Sequence, residues 1–232
     1  MVSAVVRRRG RGESAGIDLE QILTVAKSMP RSSLTMQSVA NALGVDRKAL
    51  YNYVPDRDGL LTLVALDAFA AQFATLDIAR TSSWQGACTA FAQAFGRGIV
   101  AAEDLSDHLW FSEALTSWFL EPTELLFDKL AQAGFDDDLS IRAVTLLTTI
   151  ALGHARDVTQ ATAGAGRPGR RSLLRALAPR DPDRYPNLTR IAQNGENTYE
   201  SEQLRFALEV FAHGVAAELD ARSGTREDGR NP

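Results

Sequence analysis

Apolar residues recur along this chain at three- and four-residue intervals and no convincing run alternates with period two, so the pattern predicts an all-α protein. A first helix opens at Asp18 as N-cap, buries Ile22, Leu23 and Ala26, and ends before Pro30. A second starts after Thr35 and stops at Gly44. A third, short one covers Asp46 to Tyr53 and is halted by Pro55, since proline disfavours a helical residue ahead of it. Asp56 then caps a long fourth helix with Leu61, Val64, Ala65, Ala68, Phe69 and Phe73 on its apolar face.

Beyond Asp77 the predicted elements lengthen. Ser82 or Ser83 caps a helix that places Trp84, Cys88, Phe91 and Phe95 on one face. An aromatic segment, Leu105 to Leu120, precedes a helix from Pro122 to Gly134, its C′ glycine. Asp138 begins a long helix to Thr159 with more than one apolar face, which predicts burial between neighbours. Ala163 to Arg171 reads as a loop, followed by a short helix at Pro186–Asn194 and a long one at Ser201–Asp220. The expected organisation is a flexible basic arm (1–16), a small domain (17–74), a larger helical domain (78–221) and a disordered polar tail (222–232).

Composition adds little until it is resolved along the chain. The sequence is 45% apolar and 23% charged, ordinary for a globular protein. A single cysteine, Cys88, excludes an internal disulfide or a multi-cysteine zinc site and suits a reducing compartment. The start lacks the order of a secretory signal, and no stretch approaches the roughly 18 uncharged apolar residues of a membrane span. The expectation is a cytoplasmic protein without membrane contact. Net charge is −4, yet residues 1–60 hold nine Lys/Arg against six acids, which leaves +3 there and −7 in the remainder. A small basic module on a larger acidic body suits a nucleic-acid reader with a separate control domain.

The most informative segment is Met36 to Leu61. Val39, Leu43, Val45 and Leu50 are spaced to form the apolar plug of two short helices that cross steeply. Ala40 is small where the helices approach, and Gly44 permits the left-handed backbone of a turn. With Asp46 as a cap, Arg47, Lys48, Ala49, Asn52 and Tyr53 are expected to project outward, towards base edges and phosphates. Plug spacing alone fits either a helix-turn-helix or an ordinary helical hairpin with a solvated basic face.

Taken in order, Leu34-Thr35, Val39-Ala40, Leu43-Gly44-Val45, Leu50-Tyr51, Tyr53-Val54 and Leu60-Leu61 resemble the N-terminal signature of the tetracycline-repressor (TetR) family. The likeness covers about Asp18 to Gln72. The C-terminal half is similar, more loosely, to the tetracycline-repressor type of regulatory domain at Pro122-Thr123-Glu124, Ala133-Gly134-Phe135, Leu152-Gly153 and Phe206 to Gly214. This resemblance implies base contacts from Gln37, Arg47, Lys48 and Ala49, the last only as a methyl against thymine. It implies contacts with phosphate and groove wall from Tyr51 and Tyr53, and a phosphate contact from Arg57. A cation at a helix start opposes the macrodipole, and a DNA phosphate would offset that. Pro30-Arg31-Ser32-Ser33 departs from the family's usual glycine-containing turn.

Enzymatic chemistry has no support in the pattern. Gly164, Gly166 and Gly169 spell GxGxxG, but they follow a helix, include Pro168 and lack a βαβ unit. His108, His154 and His213 have no metal-ligand spacing, and neither cofactor nor metal is expected. The aromatic run instead suggests an apolar pocket bordered by Trp110, Phe111, Trp118 and Phe119, with Thr148 and His154 orienting a flat, largely hydrophobic effector. Small residues on the last two long helices (Ala151, Gly153, Ala155; Ala212, Gly214, Ala216) predict a four-helix homodimer interface. The expected function is a repressor released from a palindromic double-stranded operator by a small apolar ligand. The alternative is a helical scaffold or interaction protein without specific DNA binding.

Overall fold

The computed structural model describes residues 16–74, 76–102, 105, 113–162, 170–194 and 201–228, and among these no strand occurs. The helices are α1 (Leu19–Lys27), α2 (Met36–Leu43), α3 (Arg47–Leu50), α4 (Arg57–Ala70), α5 (Trp84–Ala102), α6 (Glu113–Gln132), α7 (Asp137–Thr162), α8 (Arg170–Leu177), α9 (Pro186–Asn194) and α10 (Ser201–Asp228). A 3-10 turn, Arg31–Ser33, joins α1 to α2.

Side-chain caps set most of the starts. Asp18 accepts from the Gln21 amide at 2.8 Å, Thr35 from Ser38 at 3.0 Å and Asp56 from Gly59 at 2.8 Å. Ser83, rather than Ser82, accepts from Gly86 at 3.1 Å and so caps α5. Each bond satisfies an amide that the helix cannot pair internally. At the other end of α6, Gly134 takes φ +92°, and the Phe135 amide reaches the Leu130 carbonyl at 3.1 Å in a Schellman turn.

Helix α5 is the axis of the body. Its buried residues include Ala87, Phe91, Ala92, Ala94, Phe95, Gly96, Gly98 and Ile99, which lie on several faces, and α4, α6 and α7 all pack against it. Small residues let those neighbours come close. The closest approach is at Gly98: a Cβ there would stand 2.6 Å from Cδ2 and 2.8 Å from Cε2 of Phe69 on α4. Through Phe69 one apolar core runs without a break from Ile17 in the small N-terminal unit to Val215 on α10.

Several expectations are corrected. Helix α6 runs straight through Pro122 instead of starting there. Proline removes one internal hydrogen bond, but Phe119 on one side and the fully buried Leu126 and Leu130 on the other hold both halves to the core. Asp136, not Asp138, caps α7, accepting from the Leu139 amide at 2.8 Å. Helix α8 replaces the end of the expected loop, whose residues 163–169 lie outside the described residues, as do residues 1–15 of the arm. The tail is helical to Asp228, because Arg222 bridges Asp138 at 3.0 Å, Glu218 at 3.1 Å and Asp136 at 3.3 Å and ties α10 to the start of α7. The guanidinium bonds from Arg142 and Arg222 hold the Asp138 carboxyl below the usual carboxylate range.

The apolar surface of α7 is also divided differently. Ala151 and Ala155 are fully buried, and Ala151 lies against α5 near Gly96, so neither is exposed for a partner chain. Leu146 (49% exposed) on α7 lines one groove with Phe206 (58%) and Val210 (55%) of α10.

The fit at Gly98 makes a test. Gly98→Ala should lose about 1–3 kcal/mol of stability, because the buried Phe69 ring must shift against Phe73, Phe95 and Phe119 and overpacking outweighs the gain in helix propensity. Gly153→Ala, where no heavy atom lies within 4 Å of the new methyl, should instead gain about 0.5–1 kcal/mol. Thermal denaturation of the two variants checks the contrast.

Candidate functional site

The N-terminal unit is built around the predicted plug. Val39 and Leu50 are completely buried, and Leu43 and Val45 pack half-buried against them. Ala40 is fully buried between the helices. Gly44 adopts φ +68°, and the Val45 amide donates to the Ala40 carbonyl at 3.0 Å, which closes α2 and turns the chain towards α3. Asp46 caps α3 by accepting from the Lys48 amide at 2.8 Å. Helix α3 is only four residues long; the Tyr53 and Val54 amides then both donate to the Leu50 carbonyl at 2.9 Å, converting the predicted last turn of helix into a tight turn.

On the outer surface Arg47, Lys48, Tyr51 and Asn52 are exposed together. The Arg47 guanidinium stands 5.4 Å from the centre of the Tyr51 ring, a cation–π distance that limits the side chain's range. Gln37 is exposed on α2, and its amide nitrogen donates to Asn41 Oδ1 at 2.8 Å. Asn41 is a member of this surface that sequence reasoning missed; its i,i+4 relation to Gln37 was the available signal.

Three expected contacts have different surroundings. The Ala49 methyl is half-buried against the core instead of projecting outward, because the short α3 turns that face to the plug. The Tyr53 hydroxyl donates to the Ile17 carbonyl, so this side chain fastens the chain entering α1 to the turn after α3. Arg57 Nε donates to the Leu34 carbonyl at 2.9 Å, which explains a cation at the start of α4 without a phosphate. Lys27 of α1 pairs with Asp67 of α4 at 2.5 Å. Helix α4 is thus tied to the small unit at both of its ends.

In the body Phe119, Thr148 and His154, three of the residues expected to border one pocket, have separate surroundings. Trp110 and Phe111 lie outside the described residues, as does the side chain of Trp118. Phe119 sits in a ring cluster, with centroids 5.0 Å from both Phe69 and Phe73, 5.9 Å from Phe95 and 6.1 Å from Phe91. A cavity of about 340 Å³ between α4 and α6 borders this cluster. The Thr148 hydroxyl donates to carbonyls of its own helix, Val144 and Thr145. His154 faces a second cavity, of about 790 Å³, between α5, α7 and the start of α10. Burial pushes this imidazole below its ordinary value, and the negative charge of Asp157 opposes that only in part. A third, apolar hollow of about 750 Å³ follows the α7–α10 groove.

Other chemistry is sparse. Burial pushes the Cys88 thiol up to about 12, far from a reactive thiolate. Among the described residues no three His, Cys, Asp or Glu side chains are grouped to hold a metal ion, and no helix is long and apolar enough to cross a membrane.

No family model and no curated protein matches the sequence. Solved structures do match the fold. A possible TetR-family transcriptional regulator from Streptomyces coelicolor superposes with a TM-score of 0.67 at 24% identity, over 86% of this chain and 99% of its own. The chain has the TetR-family fold. ActR, a TetR-family protein of the same organism in complex with actinorhodin, gives 0.67 at 20% identity over 86% of this chain and 96% of its own. Another TetR regulator from that organism gives 0.61 at 21% over 87% and 98%.

The Tyr53 bond separates two neighbouring tyrosines. Tyr53→Phe should cost about 0.5–1.5 kcal/mol by leaving the Ile17 carbonyl without its donor. Tyr51→Phe keeps the ring under Arg47 and should leave the melting temperature unchanged. Denaturant titrations of both variants decide it.

Proposed function

We propose that this chain is a homodimeric transcriptional repressor that reads a palindromic double-stranded operator and is released from it by a small organic ligand. The observation that carries the reading is the α2–α3 surface: Arg47, Lys48, Tyr51 and Asn52 are exposed together over a plug centred on the fully buried Val39 and Leu50. A plug of that kind holds the pair rigid, so side chains at the start of α3 can enter a major groove in fixed register. Arg47 and Lys48 supply base and phosphate contacts, and Gln37 reads from the start of α2. Tyr51 and Asn52 lie against the groove wall. The terminal nitrogens of Arg57 extend to a phosphate while Nε stays on Leu34. Ala49 and Tyr53 act by holding α3 in place. Such a protein works in the bacterial cytoplasm, without cofactor or catalysis.

The exposed Leu146, Phe206 and Val210, with Gly214 in the same groove, mark the surface where α7 and α10 meet their copies; of the small residues expected there, Ala151 and Ala155 are buried within the chain. A two-fold axis there sets two recognition helices about one DNA turn apart or a multiple of it. ActR, which shares the fold, binds actinorhodin, and by that likeness a ligand in the body selects the conformation whose two heads no longer match adjacent grooves. Helix α4 carries the shift, since Lys27–Asp67 joins it to α1 and Phe69 joins it to α5.

Gel shifts on a palindrome selected from random duplexes test the reading. Arg47→Ala and Lys48→Ala should each lose about 1–3 kcal/mol at the selected site while the fold persists. Unchanged affinity in both variants, or no selectable site, would sink it.

The interface has its own check. Val210→Glu places a charge in the apolar groove and should yield a folded monomer by light scattering at micromolar concentration. A wild-type monomer, or an unaltered dimer in the variant, counts against the interface.

A further inference from the structure

The cavity between α5, α7 and α10 has a chemical character that narrows what fills it. Its polar groups come from separate elements: Gln72 just past α4, Gln93 and Arg97 on α5, His154 on α7, and Glu202 and Arg205 on α10. Val100, Val158 and Leu204 supply apolar wall between them. Three of the charged groups can be sorted by what else explains them. Arg205 bonds Glu209 one helical turn on, at 3.0 Å. Glu202 occupies the first turn of α10, where the helix dipole favours an acid. Arg97 has no such account. It lies mid-helix, its i±3 and i±4 neighbours are Gln93, Ala94, Val100 and Ala101, and it makes no hydrogen bond or ion pair with a described residue.

A guanidinium without a partner among the described residues, lining a partly apolar cavity in a segment of the chain that is acidic overall, is the feature of a site for an anion on a hydrophobic body. We infer that this cavity binds an amphipathic organic anion, a carboxylate or sulfonate held by Arg97 with its apolar part along Val100, Val158 and Leu204. Arg97 offers the planar fork that matches a carboxylate. The half-buried His154 imidazole, opposite it on α7, and the Gln72 and Gln93 amides offer neutral hydrogen bonds that fix orientation. The inference rests on the reading of the chain as a ligand-released repressor and names the class of its effector. It replaces a purely hydrophobic ligand in an aromatic pocket with a charged one in an aliphatic pocket.

The test needs no DNA, so its failure is separate from failure of the operator reading. Calorimetric titration of the full chain compares 2-naphthoate and decanoate with their neutral amides, which have the same shapes without the charge. Each acid should bind about fivefold tighter than its amide, the strength of a charge-assisted hydrogen bond discounted for solvent exposure. Arg97→Gln, at an exposed position that leaves the fold intact, should bring acid and amide within about twofold of each other. Arg142→Gln, in the α7–α10 groove, should leave the preference intact. Equal binding of acid and amide by the wild-type chain, an unaltered preference in Arg97→Gln, loss of the preference in Arg142→Gln, or no binding of either acid at millimolar concentration would each overturn the assignment.

Discussion

The contact between the Phe69 ring and the bare backbone of Gly98 is where the small N-terminal unit and the body become one molecule. Any side chain at position 98 would overlap the ring, so α4 and α5 approach this closely only because glycine stands there. Phe69 is itself enclosed by Phe73, Phe95 and Phe119, at centroid distances of 5.0–5.6 Å. A ring held against three others and the Gly98 backbone passes a displacement on to its neighbours. The far end of the same helix carries Arg57, bonded to the Leu34 carbonyl that precedes α2. A change at the aromatic cluster is therefore connected, through one rigid element, to the α2–α3 pair.

Polar side chains in the N-terminal unit divide into those that hold it together and those left facing solvent. Tyr53, Arg57, Asp46 and Lys27 each have an internal partner. Arg47 and Lys48 have no ion pair among the described residues, and their charge is available to a polyanion. The division is economical: the exposed side chains of α3 are positioned by neighbours whose hydrogen bonds are already satisfied. Exposed cations held over a close-packed plug fit recognition in a groove better than a generic solvated helix face does, because a rigid base gives direction as well as charge.

In the body, close packing and open volume alternate around α5. Towards α4 and α6 the aromatic rings leave a cavity of about 340 Å³. Towards α7 and α10, where α5 presents Gln93, Gly96, Arg97 and Val100, the space reaches about 790 Å³. Small and polar residues cannot fill the gap between helices that aromatic residues fill on the other side. Phe119 and the other described rings of α4 and α5 are core, and the larger opening lies among less conspicuous residues of α5, α7 and α10.

The sequence by itself determined what depends on neighbours within a turn or two of helix. Asp18, Thr35, Asp46 and Asp56 declare helix starts through side-chain bonds of two or three residues' reach, and Gly44 and Gly134 declare ends through backbone angles that other residues resist. Period and plug spacing likewise made the helix-turn-helix legible, together with its exposed Arg47 and Lys48. Tertiary structure decided what depends on residues far apart in the chain. Pro122 continues a helix because Phe119, Leu126 and Leu130 are gripped by other elements. Arg222 extends the last helix because Asp136 and Asp138 stand beside it. Tyr53 and Arg57 turn inward because two carbonyls, at Ile17 and Leu34, lie within reach. The gathering of Arg97, His154 and Glu202 around one cavity needs three helices in place, and no local spacing encodes such an arrangement. Local bonds are written in local sequence, whereas the distribution of open space is a property of the packed whole.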